Sequence, residues 1–279
     1  MIYGLGAAIA WGLADVGAAI VGRRIGSLLT VVIAQVVGLA VILMVYLVSG
    51  PSWTATGTDL ALLAVSGALA GIAYVALYRA LELGPIALVS PIVAAYAVPP
   101  VVLAVVLLDE SLVGVVAAGI VVTLIGVALA STDLRGVAAD DASRAGVPLA
   151  VVAMLLFGLA TFVLGRQAQV LGWLPASTIG RAFSVAALLV IALVRRPDVR
   201  GGAAALGGAA LVGLADITGV AVYSLGAERG LISIVTAASA TFVIIPVAAG
   251  ITFLGERPAS NQLIGVGLVV VGLLLLGLG

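Results

Sequence analysis

Between Arg24 and Asp59 the chain carries no charged side chain. From Leu28 to Val48 it reads LLTVVIAQVVGLAVILMVYLV, with Gln35 as its one strongly polar group. A helix rises about 1.5 Å per residue, so roughly twenty such residues match a hydrocarbon core about 30 Å thick. No water reaches that core to satisfy backbone N–H and C=O groups, so a run of this kind has to fold as a helix or as part of a closed barrel. The pattern recurs along the chain. Cutting at the charges and at Gly/Pro turns gives ten spans, at 3–22, 28–48, 60–81, 85–107, 112–131, 147–168, 174–194, 203–226, 231–254 and 260–278. Hydrophobic residues make up 64% of the sequence and charged residues 9%, against about a quarter charged in a soluble domain. That is too few charges to cover a water-facing surface. The expected class is an all-α, multi-pass membrane protein with ten transmembrane helices.

Several kinds of chemistry drop out. With neither Cys nor His, there is no disulfide framework, no thiolate nucleophile, no His-activated serine and no His/Cys zinc site. The formal net charge is zero, which gives nucleic acid no electrostatic hold. No nucleotide-binding loop is present, so neither a cofactor nor a metal is expected, and the chain is not read as an enzyme. The first span opens near Met1 without a basic leader or a small-residue cleavage site, and reads as a retained helix.

The longest polar segment, STDLRGVAADDASRAGVP at 131–148, lies at mid-chain and divides two similar halves. A gapless shift of 146 residues sets Trp11 on Phe157, Gly12-Leu13-Ala14 on Gly158-Leu159-Ala160, and Pro51 on Pro197. It also sets Glu82 and Gly84 on Glu228 and Gly230, Pro100 on Pro246, Glu110 on Glu256, Gly119 on Gly265 and Gly126 on Gly272. The expected units are 1–131 and 147–279, each of five helices, with 132–146 as linker. Five is odd, so the second unit enters the bilayer from the opposite side, giving an inverted-topology repeat. Turns after spans 1, 3, 5, 7 and 9 hold nine of the twelve arginines: Arg23, Arg24, Arg79, Arg135, Arg144, Arg195, Arg196, Arg200 and Arg257. The other side holds Arg166 and Arg229. Positive charge marks the cytoplasmic face, so both termini are expected outside a prokaryotic cell membrane and the linker inside.

Two stretches carry a family resemblance. YRALELGPIALVSPIVAAYAVPPVVLAVVLLDESLVGVVAAGIVVTLIG (78–126) and YSLGAERGLISIVTAASATFVIIPVAAGITFLGERPASNQLIG (223–265) resemble the repeat unit of the EamA family in the drug/metabolite transporter superfamily. In that pattern an aromatic and small-residue helix end leads through a tight turn and a proline-bearing helix to an acidic turn like LGER. The second copy has LGER at 254–257 and the first has LDES at 108–111. The resemblance implies ten helices, outward termini and movement of small metabolites, often outward. Pro91 matches the family proline of the fourth helix, whereas its counterpart is Ala237.

Strongly polar groups near a helix centre cost about 2.5–3.5 kcal/mol each on insertion scales. Three stand here: Asp15, Arg181 and Asp216, with Gln35 a cheaper fourth. Gln35 and Arg181 are equivalent under the shift and are expected to share an inward position. Asp216 and Arg181 suit either a site or a structural ion pair. Trp11 lies one turn before Asp15, Tyr74 and Tyr78 follow Gly67 and Gly71, and Ser90, Pro91, Tyr96, Thr236 and Ser239 lie on the fourth and ninth spans. Together these twelve residues describe a site with aromatic walls, hydroxyls and a few charges, suited to an amphipathic small molecule such as an amino acid with an apolar side chain. Tyr223 reads as packing or as a residue of the interfacial belt. Glu110 and Glu256 read as favouring the N-termini of the helices they begin, and Glu82 and Glu228 as turn residues. The leading function is a secondary transporter exporting small metabolites, coupled to protons or to the substrate's own gradient, with Asp15 the first proton-carrying candidate and Asp216 the second. A transporter of phosphorylated or nucleotide-linked sugars would want more inward cations. An intramembrane aspartyl protease, suggested by GLADV (12–16) and GLADI (213–217), lacks a G-x-G-D motif. A non-transporting membrane scaffold leaves the central charges unexplained.

Overall fold

The computed structural model describes residues 1–51, 54–108, 114–130, 141–197 and 202–276. These residues form twelve α-helices, two 3-10 turns and no strand. Helices α1 (Ile2–Ile25) and α2 (Ser27–Ser49) meet at Gly26, whose φ of 86° falls in the left-handed region that costs glycine nothing. Helix α3 (Gly57–Leu83) starts on a capping box, in which the Thr56 hydroxyl accepts from the Asp59 N–H and the Asp59 carboxylate accepts from the Thr56 N–H. Then come α4 (Ile86–Ala94), α5 (Val98–Leu108), α6 (Gly114–Ala130), α7 (Asp141–Leu171), α8 (Trp173–Arg195) and α9 (Ala203–Arg229). The chain closes with α10 (Ile232–Ala240), α11 (Ile244–Thr252) and α12 (Ser260–Leu276).

Among the described residues, seven stretches are long and apolar enough to cross a membrane: α1, α2, α3, Gly146–Leu171, α8, α9 and Ile232–Thr252. Three shorter apolar stretches, Ile86–Pro100, Gly114–Ala130 and Ser260–Leu276, lie where the other three expected spans fall. The usual sorting of side chains is turned outside in. On α1 the outer face carries Leu5, Ile9 and Leu13, while Ala7, Gly4, Ala14 and Ala18 are buried. Lipid is as apolar as leucine, so large side chains face it at no cost, and small ones let helices close on each other.

Two of the expected continuous spans are broken. Helix α4 gives way at the 3-10 turn Ala95–Ala97 before α5, and α10 at Thr241–Val243 before α11. Pro99 and Pro100 lack the N–H needed to continue the first ladder. In the second copy Pro246 follows three residues behind the turn.

Packing partners pair off under the shift of 146. Helix α3 lies on α7 and α8, as α9 lies on α1 and α2, while α6 packs on α12 and α2 on α8. A Cβ on Gly12 would meet Ile245 and the Phe242 carbonyl, and one on Gly158 would meet Pro99 and the Tyr96 carbonyl, their equivalents. Helices α1 and α9 run antiparallel, since Tyr3 Oη accepts from Arg229 at one end and Val21 approaches Gly208 at the other. So do α3 and α7, with Asp59 accepting from Gln167 and Gly146 beside Ala80.

The acidic turn residues close helix starts. The Ser27 N–H donates to Glu82 (3.2 Å) and the Trp173 N–H to Glu228 (2.6 Å), again 146 positions apart. Glu256 differs from expectation in the helix it serves. It precedes α12 by four residues and accepts from the Ile86 and Ala87 N–H groups at 2.9 Å each, capping α4, with Arg23 3.7 Å away. Glu110, Arg135 and Arg200 lie outside the described residues.

Candidate functional site

Trp11 and Asp15 are four residues apart, hence on one face of α1, and that face looks into the centre of the bundle. There a cavity of about 100 Å³ lies between α1, α3, α7, α8 and α9, with both 3-10 turns at its edge. Its walls include Trp11, Asp15, Tyr74, Tyr96, Phe157, Arg181, Asp216, Tyr223 and Phe242, with Ser66, Thr161, Ser177 and Ser184 among them.

The charges divide into a closed set and an open one. Arg181 Nη2 donates to Asp216 Oδ2 at 2.7 Å, and Arg181 Nη1 donates to Gln35 Oε1. Gln35 Nε2 donates to Asp216 Oδ2 (3.2 Å) and Tyr74 Oη to Asp216 Oδ1 (2.7 Å). The Arg181 guanidinium also lies 5.7 Å from the centre of the Tyr74 ring. All four residues are buried. A buried ion pair offsets its desolvation only when hydrogen bonds satisfy the remaining donors and acceptors, and here they come from Gln35 and Tyr74. Asp15 is different. It is 7% exposed, lines the cavity, and has neither a hydrogen bond nor an ion-pair partner among the described residues.

Aromatic rings form the rest of the enclosure. Trp11 packs edge-on to Tyr96 (6.2 Å) and tilted against Tyr223 (5.7 Å), while Tyr74 meets Phe157 edge-on at 4.8 Å. Hydroxyls fix two of the rings from behind. Tyr96 Oη pairs with Ser239 Oγ (2.6 Å), and Tyr223 Oη pairs with Thr236 Oγ1 (2.9 Å) and donates to the Thr161 carbonyl.

Of the twelve expected site residues, Trp11, Asp15, Tyr74, Tyr96, Arg181 and Asp216 line the cavity. Gln35, Ser239 and Thr236 stand one layer back and hold lining groups. Tyr78 packs edge-on behind Tyr74. Ser90 and Pro91 are buried in α4, away from the cavity wall. Tyr223, expected as packing or belt, is fully buried and part of the wall. Phe157 and Phe242 also line it. They stand 146 positions from Trp11 and Tyr96, a signal the repeat register already carried.

A family model described as "EamA-like transporter family" matches residues 1–132 and 144–278. One solved structure, described only as "Crystal structure of protein", is similar over 99% of this chain and 96% of its own, at 18% identity and a TM-score of 0.68. At that identity the likeness concerns the fold. No curated protein sequence matches the chain.

Proposed function

The chain belongs to the EamA-like transporter family, and from that membership we propose a secondary active transporter, an exporter of small metabolites such as amino acids. It works by alternating access around the central cavity, in ten spans arranged as two inverted five-helix repeats. The observation that carries this is the cavity itself. Each half contributes helices to it, and each half's broken helix brings a ring to its edge from an equivalent position, Tyr96 and Phe242. Discontinuous helices beside a central site are the usual build of such transporters. The antiparallel pairing of α3 with α7, and of α1 with α9, supports the inversion.

Within this reading Asp216 holds Arg181 in place and Asp15 is the proton-carrying candidate, because Asp15 alone of the lining carboxylates has no partner among the described residues. The Arg181–Asp216 pair also weighs against the alternatives. It leaves no unpaired lining cation among the described residues for a sugar phosphate, and it occupies one of the two carboxylates that a protease dyad would need to share a proton.

The test is solute counterflow in liposomes containing the purified protein, with a panel of labelled amines and amino acids, for the native chain and for Asp15→Asn. Counterflow needs no driving force, so it separates translocation from coupling. Exchange of at least one solute by the native protein is expected. If nothing in a broad metabolite panel exchanges, the transporter reading fails.

A further inference from the structure

The cavity's charges and walls narrow the chemical class of the cargo. Among the described lining residues three are charged: Asp15, Arg181 and Asp216. Arg181 and Asp216 neutralise each other at 2.7 Å, so the cavity carries one uncompensated carboxylate, provided by Asp15. A zwitterionic amino acid brings a carboxylate of its own and needs a cation for it. The positive charge of Arg181 is already paired with Asp216, and its two terminal nitrogens donate to Asp216 and Gln35. Admitting a second carboxylate beside Asp15 would leave the site with surplus negative charge.

What the site lacks is a single positive charge, and its walls say of which kind. A bare metal ion wants around six oxygen ligands, whereas the cavity wall is mainly carbon and aromatic ring with a few hydroxyls among them. Trp11, one helical turn away, stands with Tyr96 and Tyr223 at 6.2 and 5.7 Å between ring centres. An organic ammonium within about 6 Å of such a ring gains attraction from its face, and its hydrocarbon body fills apolar space.

We propose that this cavity is built for an apolar organic monocation, an amine or ammonium without a carboxylate, with Asp15 as its counter-ion and Trp11, Tyr96 and Tyr223 as its aromatic enclosure. The inference rests on the transporter reading of the same cavity and replaces its broader substrate class by a specific one.

Leucine and 3-methylbutylamine share a side chain and differ only in the carboxylate, so the pair isolates the question. Binding of each is measured by titration calorimetry on the full chain in lipid nanodiscs, where leakage of the neutral amine across a membrane does not matter. The amine is expected to bind at least about tenfold more tightly than leucine, a gap of about 1.4 kcal/mol. Asp15→Asn is expected to lose that preference, and Asp15→Glu to keep it. Leucine binding as tightly as the amine overturns the proposal, as does an Asp15→Asn protein that is folded and still prefers the amine. If Asp15→Asn does not fold, the comparison of ligands on the native chain still decides. Should neither ligand bind while counterflow finds another exchanged solute, the monocation assignment falls and the transporter reading stands.

Discussion

At the scale of single residues, cost in the bilayer is what made the site legible. Asp15, Arg181 and Asp216 stand out because an ionised group within a span is expensive, and all three line the cavity. Serine is cheap there and common, which is why Ser66, Ser177 and Ser184 gave no signal. Tyr223 went astray for a different reason: a sequence gives a residue's height along its helix more readily than the direction it faces. The closed charge set yields a prediction. Arg181→Met leaves Asp216 buried with only Gln35 and Tyr74, and removal of one partner of a buried pair costs about 3–5 kcal/mol. Its thermal unfolding midpoint in detergent is expected to fall well below that of the native chain. Adding Asp216→Asn removes the orphaned charge, leaves one oxygen to accept from Tyr74 and offers an N–H to the Gln35 oxygen freed from Arg181, and is expected to recover part of the loss. A double variant no more stable than Arg181→Met alone would show that the pair is not coupled.

Among the elements, the repeat register foretold more than the span boundaries did. It aligned Gly119 with Gly265 and Gly126 with Gly272, and these four lie in the α6–α12 contact, where Gly119 meets Gly272 and Gly126 meets Gly265. A Cβ on Gly126 would sit 2.6 Å from the Val269 backbone nitrogen and 2.8 Å from the Gly265 carbonyl. Backbone on both sides cannot yield as a flexible side chain would, so Gly126→Leu is expected to part the two helices and lower stability by about 1–3 kcal/mol, the usual range for overpacking. Gly114→Ala is the control, since nothing among the described residues lies within 4 Å of its added methyl, and its midpoint is expected to stay close to the native value. Both helix breaks depart from the continuous spans expected at 85–107 and 231–254. Pro99 and Pro100 are the signal that marks the first, whereas the 3-10 turn at Thr241–Val243 precedes Pro246 by three residues and carries no breaker of its own. Glu256 shows the same limit. Its sequence neighbourhood points to the helix that follows, whereas folding delivers it to the start of α4, 170 residues away.

For the whole molecule, the distribution of arginine fixes an expected orientation that helix packing alone does not. Antiparallel pairs α1–α9 and α3–α7 define how the helices run relative to one another, but which end meets the cytoplasm depends on where positive charge is retained. The chain has no cysteine, so one introduced thiol is a unique label. Thr54 lies between α2 and α3 on the expected outer side, and Arg196 follows α8 on the expected inner side; both are exposed. In right-side-out vesicles, a membrane-impermeant maleimide is expected to label Thr54→Cys at once and Arg196→Cys only after the membrane is opened. The reverse pattern would invert the orientation and set the arginine-rich turns outside. Labelling of both from one side would break the ten-span arrangement, because α2 and α8 occupy equivalent places in the two halves and, under an inverted repeat, must end on opposite faces.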